Sequence, residues 1–135
     1  MQLVVLGLNH KTVPVDIREQ FAISPDSARS GLIHLDEQEG IKEAVVLSTC
    51  NRTEIYAVLE DETAKETLYD FFLALSGNSE AKEEYFFYFE GEACIRHLFE
   101  VVSGLDSMVI GESQILNQIK TAYTMALEEK ATRTI

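Results

Sequence analysis

Apolar positions recur along the chain with two periods. Gln2 to Asn9 is a short run rich in valine and leucine, which predicts a buried strand. Lys42 to Thr49 and Thr53 to Leu59 are two further strand-like runs, close enough in sequence to predict a hairpin. Tyr85-Phe86-Phe87-Tyr88-Phe89 is aromatic and predicts a fourth strand. Helical spacing occupies the intervals. After a loop from His10 to Pro14, a short helical piece is expected around Asp16 to Ala22. Ser24-Pro25-Asp26 reads as a helix start, with Ser as N-cap and Pro at the first helical position. Ala28, Leu32 and Leu35 carry that helix to about Asp36, and Gly40 marks the exit. Leu68, Phe71, Phe72 and Leu75 predict a helix over Glu62 to Leu75, ended by Gly77-Asn78. Ile95, Leu98, Phe99 and Val102 form the stripe of a helix from Glu92 to Leu105. An irregular turn from Asp106 to Gly111 then leads into a last helix, about Glu112 to Glu129, with Ile115, Ile119, Tyr123 and Ala126 on one face. Ala131 to Ile135 reads as a cut rather than a natural finish.

The order is strand, helix, strand, strand, helix, strand, then two helices. The first six elements match the split β-α-β pattern. The expected fold is therefore α+β: one domain over residues 1–135, with a ferredoxin-like βαββαβ four-stranded antiparallel sheet, helices on one face, and additional C-terminal helices. The 135 residues suffice for a real core. No repeat, low-complexity segment or linker interrupts them. No apolar run reaches the roughly 18 residues of a membrane span. The N-terminus lacks the basic region and cleavage site of a signal peptide.

Charge narrows the function classes. The net charge of −12 argues against a nucleic-acid-binding surface. Residues 60–100 hold 11 acids against Lys65, Lys82 and Arg96, a run that reads as a solvated acidic face. Two cysteines, Cys50 and Cys94, make no disulfide framework, so a reduced, cytoplasmic protein is expected. His10, His34 and His97 have no close cysteine pairing of the zinc-site kind, and no metal is expected.

The hairpin tip carries the candidate chemistry. Cys50 stands between Thr49 and Asn51, two residues before Arg52. A thiolate is the strongest nucleophile available at neutral pH, and a nearby cation favours it. Tight turns also leave backbone N–H groups that can face an oxyanion. The tip thus reads either as an ordinary exposed cysteine or as an acyl-capturing nucleophile. Cys94 lies in a helical apolar setting and reads as a packed core cysteine. It is also three residues before His97, so a thiol–imidazole pair on one helix face is an alternative. His97 precedes an irregular polar turn, His34 reads as a surface helix residue, and His10 lies in a strand-end loop.

Three separated stretches strongly resemble glutamyl-tRNA reductases: Gly7 to Val15, Ser48 to Glu54 and Ser103 to Leu116. This resemblance covers nearly the whole chain and implies the N-terminal catalytic domain of that family, which opens the five-carbon route to tetrapyrroles and haem. It implies that Cys50 attacks the ester carbonyl of glutamyl-tRNA, and that NADPH then reduces the thioester to glutamate-1-semialdehyde. By the same resemblance Arg52 grips the substrate's side-chain carboxylate, His97 serves as the catalytic histidine, and Thr49 and Ser107 contact substrate. Asn9, Glu112 and Gln114 fall in matching motifs as substrate-binding positions. The NADPH-binding and dimerisation domains of the family are absent from these 135 residues, which contain no G-x-G-x-x-G fingerprint. A homodimer through the missing C-terminal domain and glutamate-1-semialdehyde aminomutase as partner are further implications. Two rival readings stand beside this one: a non-catalytic module that binds tRNA or a partner, and a cysteine ester hydrolase.

Overall fold

The computed structural model describes residues 1–49, 51–78 and 82–102. Cys50, Ser107, Glu112, Gln114, the turn expected at 106–111 and the helix expected at 112–129 lie outside the described residues. Four strands, β1 (Gln2–Asn9), β2 (Ile41–Ser48), β3 (Arg52–Leu59) and β4 (Phe87–Glu90), form one sheet in the order β2-β3-β1-β4. Each neighbouring pair is antiparallel. Four α-helices connect or follow them: α1 (Val15–Gln20), α2 (Pro25–Ile33), α3 (Ala64–Ser76) and α4 (Glu92–Val102).

Local signals hold where they are strongest. Ser24 Oγ accepts a hydrogen bond from Ser27 N–H at 3.1 Å, with Pro25 opening α2. Gly77 ends α3 in the left-handed region, φ 73°, which favours glycine. The helix expected to run to about Asp36 stops at Ile33, and Leu35–Glu37 forms a separate 3₁₀ turn. The aromatic strand begins two residues late. Glu83–Tyr85 is a 3₁₀ turn, and Phe86 serves as a core plug, meeting Phe21, Tyr69 and Phe72 edge-on with ring centroids 5.2–5.7 Å apart.

Strand alternation sorts the side chains onto two faces. Val4, Leu6 and Leu8 of β1 lie beside Ala57, Ile55 and Thr53 of β3, and with Ala44 and Val46 of β2 they floor the main core. That core is roofed by Ala28 and Leu32 of α2 and by Leu68, Phe71, Phe72 and Leu75 of α3. α2 and α3 thus share one face, and the opposite face takes α4, the first of the helices that follow the sheet. The stripe read for α4 is turned: Cys94, His97 and Val101 are buried, whereas Ile95 and Phe99 are exposed. The reason lies in the sheet, whose α4-facing side presents Arg52, Glu54 and Tyr56 and needs polar partners. Gly7 makes this packing possible: a Cβ there would lie 2.7 Å from Thr53 O, 2.8 Å from Glu54 Cγ and 2.9 Å from Phe87 Cζ. No helix among the described residues is long and apolar enough to cross a membrane.

Candidate active site

Arg52, Glu54 and Tyr56 alternate along β3 and therefore share the α4-facing side. Pairing with β1 sets Asn9 opposite Arg52 and Gly7 opposite Glu54, and β4 brings Phe87 beside Gly7. Glu54 is fully buried at the centre of this patch. A buried carboxylate costs several kcal/mol unless donors replace water. Three donors converge on it. Arg52 Nη1 donates to Oε2 at 2.9 Å, His97 Nε2 meets the same oxygen at 2.9 Å, and Tyr56 O–H donates to Oε1 at 2.7 Å. Burial, reinforced by the Glu54 charge, pushes the Tyr56 phenol far above its ordinary range, so it stays a protonated donor. The His97 ring is braced from the other side by Phe87 and Phe89, centroids 4.8 and 5.2 Å away.

Cys94 sits beside this network with no exposed surface. Burial, and then the Glu54 charge, pushes its thiol up to about 12, so it is no thiolate at neutral pH. This agrees with a packed core cysteine. His97 Nε2 is directed to Glu54.

The hairpin tip is built by Thr49. Its N–H donates to Arg52 O at 2.7 Å, and its Oγ1 accepts from the N–H groups of Asn51 and Arg52 at 3.1 and 3.2 Å. The hydroxyl thereby orders the backbone on both sides of position 50. Arg52 itself is not an exposed tip residue: only 2 % of it reaches solvent. Asn9 ends β1 and shapes the next turn, its Oδ1 accepting from Lys11 N–H at 2.9 Å and its N–H donating to Thr12 Oγ1 at 3.0 Å. A cleft of about 370 Å³ opens at this end of the sheet, lined by Asn9, Lys11, Thr12, Phe87, Phe89, Arg96 and His97 among others. The structure thus gathers Asn9, Thr49, Arg52 and His97 at one end of β1 and β3. It adds Glu54 and Tyr56, which sequence reasoning left without a role; the available signal was the polar alternation 52-54-56 inside a strand. His34 caps the exposed end of α2, away from this patch.

Among the described residues no group of three or more His, Cys, Asp or Glu side chains is arranged to hold a metal. Of the strand-to-helix turns, the one from β1 to α1, residues 10–14, contains no glycine, and the one from β4 to α4 holds the single Gly91 rather than a glycine-rich loop.

Comparison with known proteins converges on one family. Residues 6–135 match the family described as "Glutamyl-tRNAGlu reductase, N-terminal domain". The chain is 47% identical over its whole length to a glutamyl-tRNA reductase of Exiguobacterium sp., of which it covers 31%. It is 46% identical to one of Pelobacter propionicus, again covering 31%. The solved glutamyl-tRNA reductase from Methanopyrus kandleri superposes with a TM-score of 0.75 at 32% identity, over 97% of this chain and 29% of that one. The chain therefore spans about a third of the length of the relatives it matches. With the fold, the buried Arg52–Glu54–His97 network and the matched stretch in agreement, the chain belongs to the glutamyl-tRNA reductase N-terminal domain family.

Proposed function

We propose that these residues form the acyl-capturing and glutamate-recognising part of a glutamyl-tRNA reductase. The observation that carries this reading is the gathering of Thr49, Arg52 and His97 at the end of the sheet where β2 turns into β3, in a sheet whose order and pairing support a ferredoxin-like architecture. In the first step the Cys50 thiolate attacks the ester carbonyl carbon of glutamyl-tRNA. The carbon–oxygen bond to the terminal ribose breaks, and the departing ribose oxygen takes up the proton that the Cys50 thiol gave up, which His97 is suited to relay by accepting it and then passing it on. The product is a glutamyl thioester on Cys50. Arg52, with one arm of its guanidinium fixed by Glu54, holds a fork for the substrate's γ-carboxylate. Ser107, Glu112, Gln114 and Asn9 join it as substrate-binding positions.

The full-length enzyme then reduces the thioester to glutamate-1-semialdehyde with NADPH, in the cytoplasm, as the entry to tetrapyrrole biosynthesis. The strand-to-helix turns described above offer no glycine-rich loop for that cofactor, and the chemistry proposed for these 135 residues ends at the thioester. The full-length enzyme forms a homodimer through a C-terminal domain and passes its product to glutamate-1-semialdehyde aminomutase.

The test is acylation of the chain itself. Incubated with glutamyl-tRNA without NADPH, it should gain a glutamyl adduct that peptide mapping places on Cys50, and Cys50→Ser should gain no thioester. An adduct on Cys94, or none on the wild type, would overturn the reading.

A further inference from the structure

Glu54 Oε2 lies 2.9 Å from both Arg52 Nη1 and His97 Nε2. A carboxylate oxygen can only accept, so the proton of that second contact belongs to Nε2. The basic nitrogen of a neutral His97 is then Nδ1. Tyr56 occupies the other oxygen, and Phe87 and Phe89 pack against the ring, so carboxylate and imidazole are both held in place. The same oxygen also anchors the Arg52 guanidinium. A buried ion pair is weak support for stability, because apolar replacements of the whole pair often do as well. Its placement between two site residues calls for another account.

We propose that Glu54 is a positioning residue of this site: one carboxylate oxygen locks His97 in its Nε2–H form and fixes the Arg52 fork, so that proton transfer and glutamate recognition share a single anchor. This inference rests on the acyl-capture reading for its consequence in rate, and on geometry alone for the tautomer.

The experiment uses the 135-residue chain with ¹⁵N-labelled histidine. Long-range ¹H–¹⁵N correlation spectra report the tautomer of each ring, and His97→Asn assigns the signals. Wild-type His97 should show a protonated Nε2 throughout pH of about 6 to 8. Glu54→Gln keeps an acceptor oxygen and should keep the Nε2–H form. Glu54→Ala should give a tautomer mixture and lower single-turnover acylation by glutamyl-tRNA roughly 10²-fold, with Glu54→Gln recovering at least a tenfold part of that loss. An Nδ1–H tautomer in the wild type would overturn the proposal, as would an unchanged Nε2–H signal in a folded Glu54→Ala. If Glu54→Ala does not fold, the wild-type tautomer and the Glu54→Gln acylation rate still decide: Nδ1–H, or a Gln rate 10²-fold down, refutes it. Failure of the underlying reading looks different, since a wild type that is never acylated would leave the tautomer result intact.

Discussion

Alternate residues of β3 look into two environments of opposite character. Ile55, Ala57 and Leu59 enter a core closed by α2 and α3, where Phe21, Phe72 and Phe86 meet edge-on. Arg52 and Glu54, buried, and the half-buried Tyr56 enter a layer beneath α4 and find His97 there. The first layer is held by non-directional burial, in which many side chains of the right volume would serve. The second depends on particular donors meeting particular acceptors within about 3 Å, and a missing member leaves a buried group unpaired. One strand thus serves two layers, a stabilising one and a chemical one.

That contrast can be broken most directly on the apolar side. Phe72 is fully buried. Phe72→Ala should cost about 4 kcal/mol in urea denaturation, while the molecules that stay folded still acylate. A loss below about 1 kcal/mol would show that this layer does not carry the stability assigned to it.

On the polar side, Glu54→Met leaves Arg52 buried without its counter-charge and should cost about 3 kcal/mol. Adding Arg52→Met should return part of that stability while abolishing acylation. A double variant less stable than Glu54→Met alone would make the network a stabilising device and erase the distinction between the layers.

The smallest effect is alkaline. The Cys94 thiol, ordinarily at 9.0, is raised to about 12 in the folded chain by burial and by Glu54. The folded state then binds more protons than the unfolded state at high pH, so this contribution is intact below about 9 and is lost as pH rises from about 9 to about 12. Tyr56 is shifted in the same direction. The denaturation midpoint should fall between pH of about 9 and 11, and Cys94→Ala should flatten the slope. A midpoint that rises with pH would show that the thiol is not shielded.

The apolar layer was legible in the sequence because its signals are local. Period-2 and period-3.6 spacing, the Ser24 cap and the Gly77 stop all act within a few residues, and all four strands stand close to where the pattern puts them. The polar layer was legible only in part. Arg52, Thr49, Asn9 and His97 stand out through the family resemblance. Glu54 closes one of the resembling stretches but receives no role, because its partner His97 lies 43 residues away and spacing cannot report such a pairing. The same blindness misplaces α4. Ile95 and Phe99 look like its buried stripe until the charged side of β3 is known, and that side draws His97 inward instead.

Gly7 ties together the two strands flanking β1. The atoms that a side chain at position 7 would strike belong to Thr53, Glu54 and Phe87, on two different strands. Even alanine therefore forces movement in the carboxylate that holds His97 and in a ring that braces it. A library varied at position 7 alone should return glycine. One varied jointly at 7, 54 and 87 should return glycine as well, because the 2.7 Å approach to Thr53 O is to backbone that no side-chain change removes. Two strands that meet β1 from opposite sides thus lean on the same missing carbon atom.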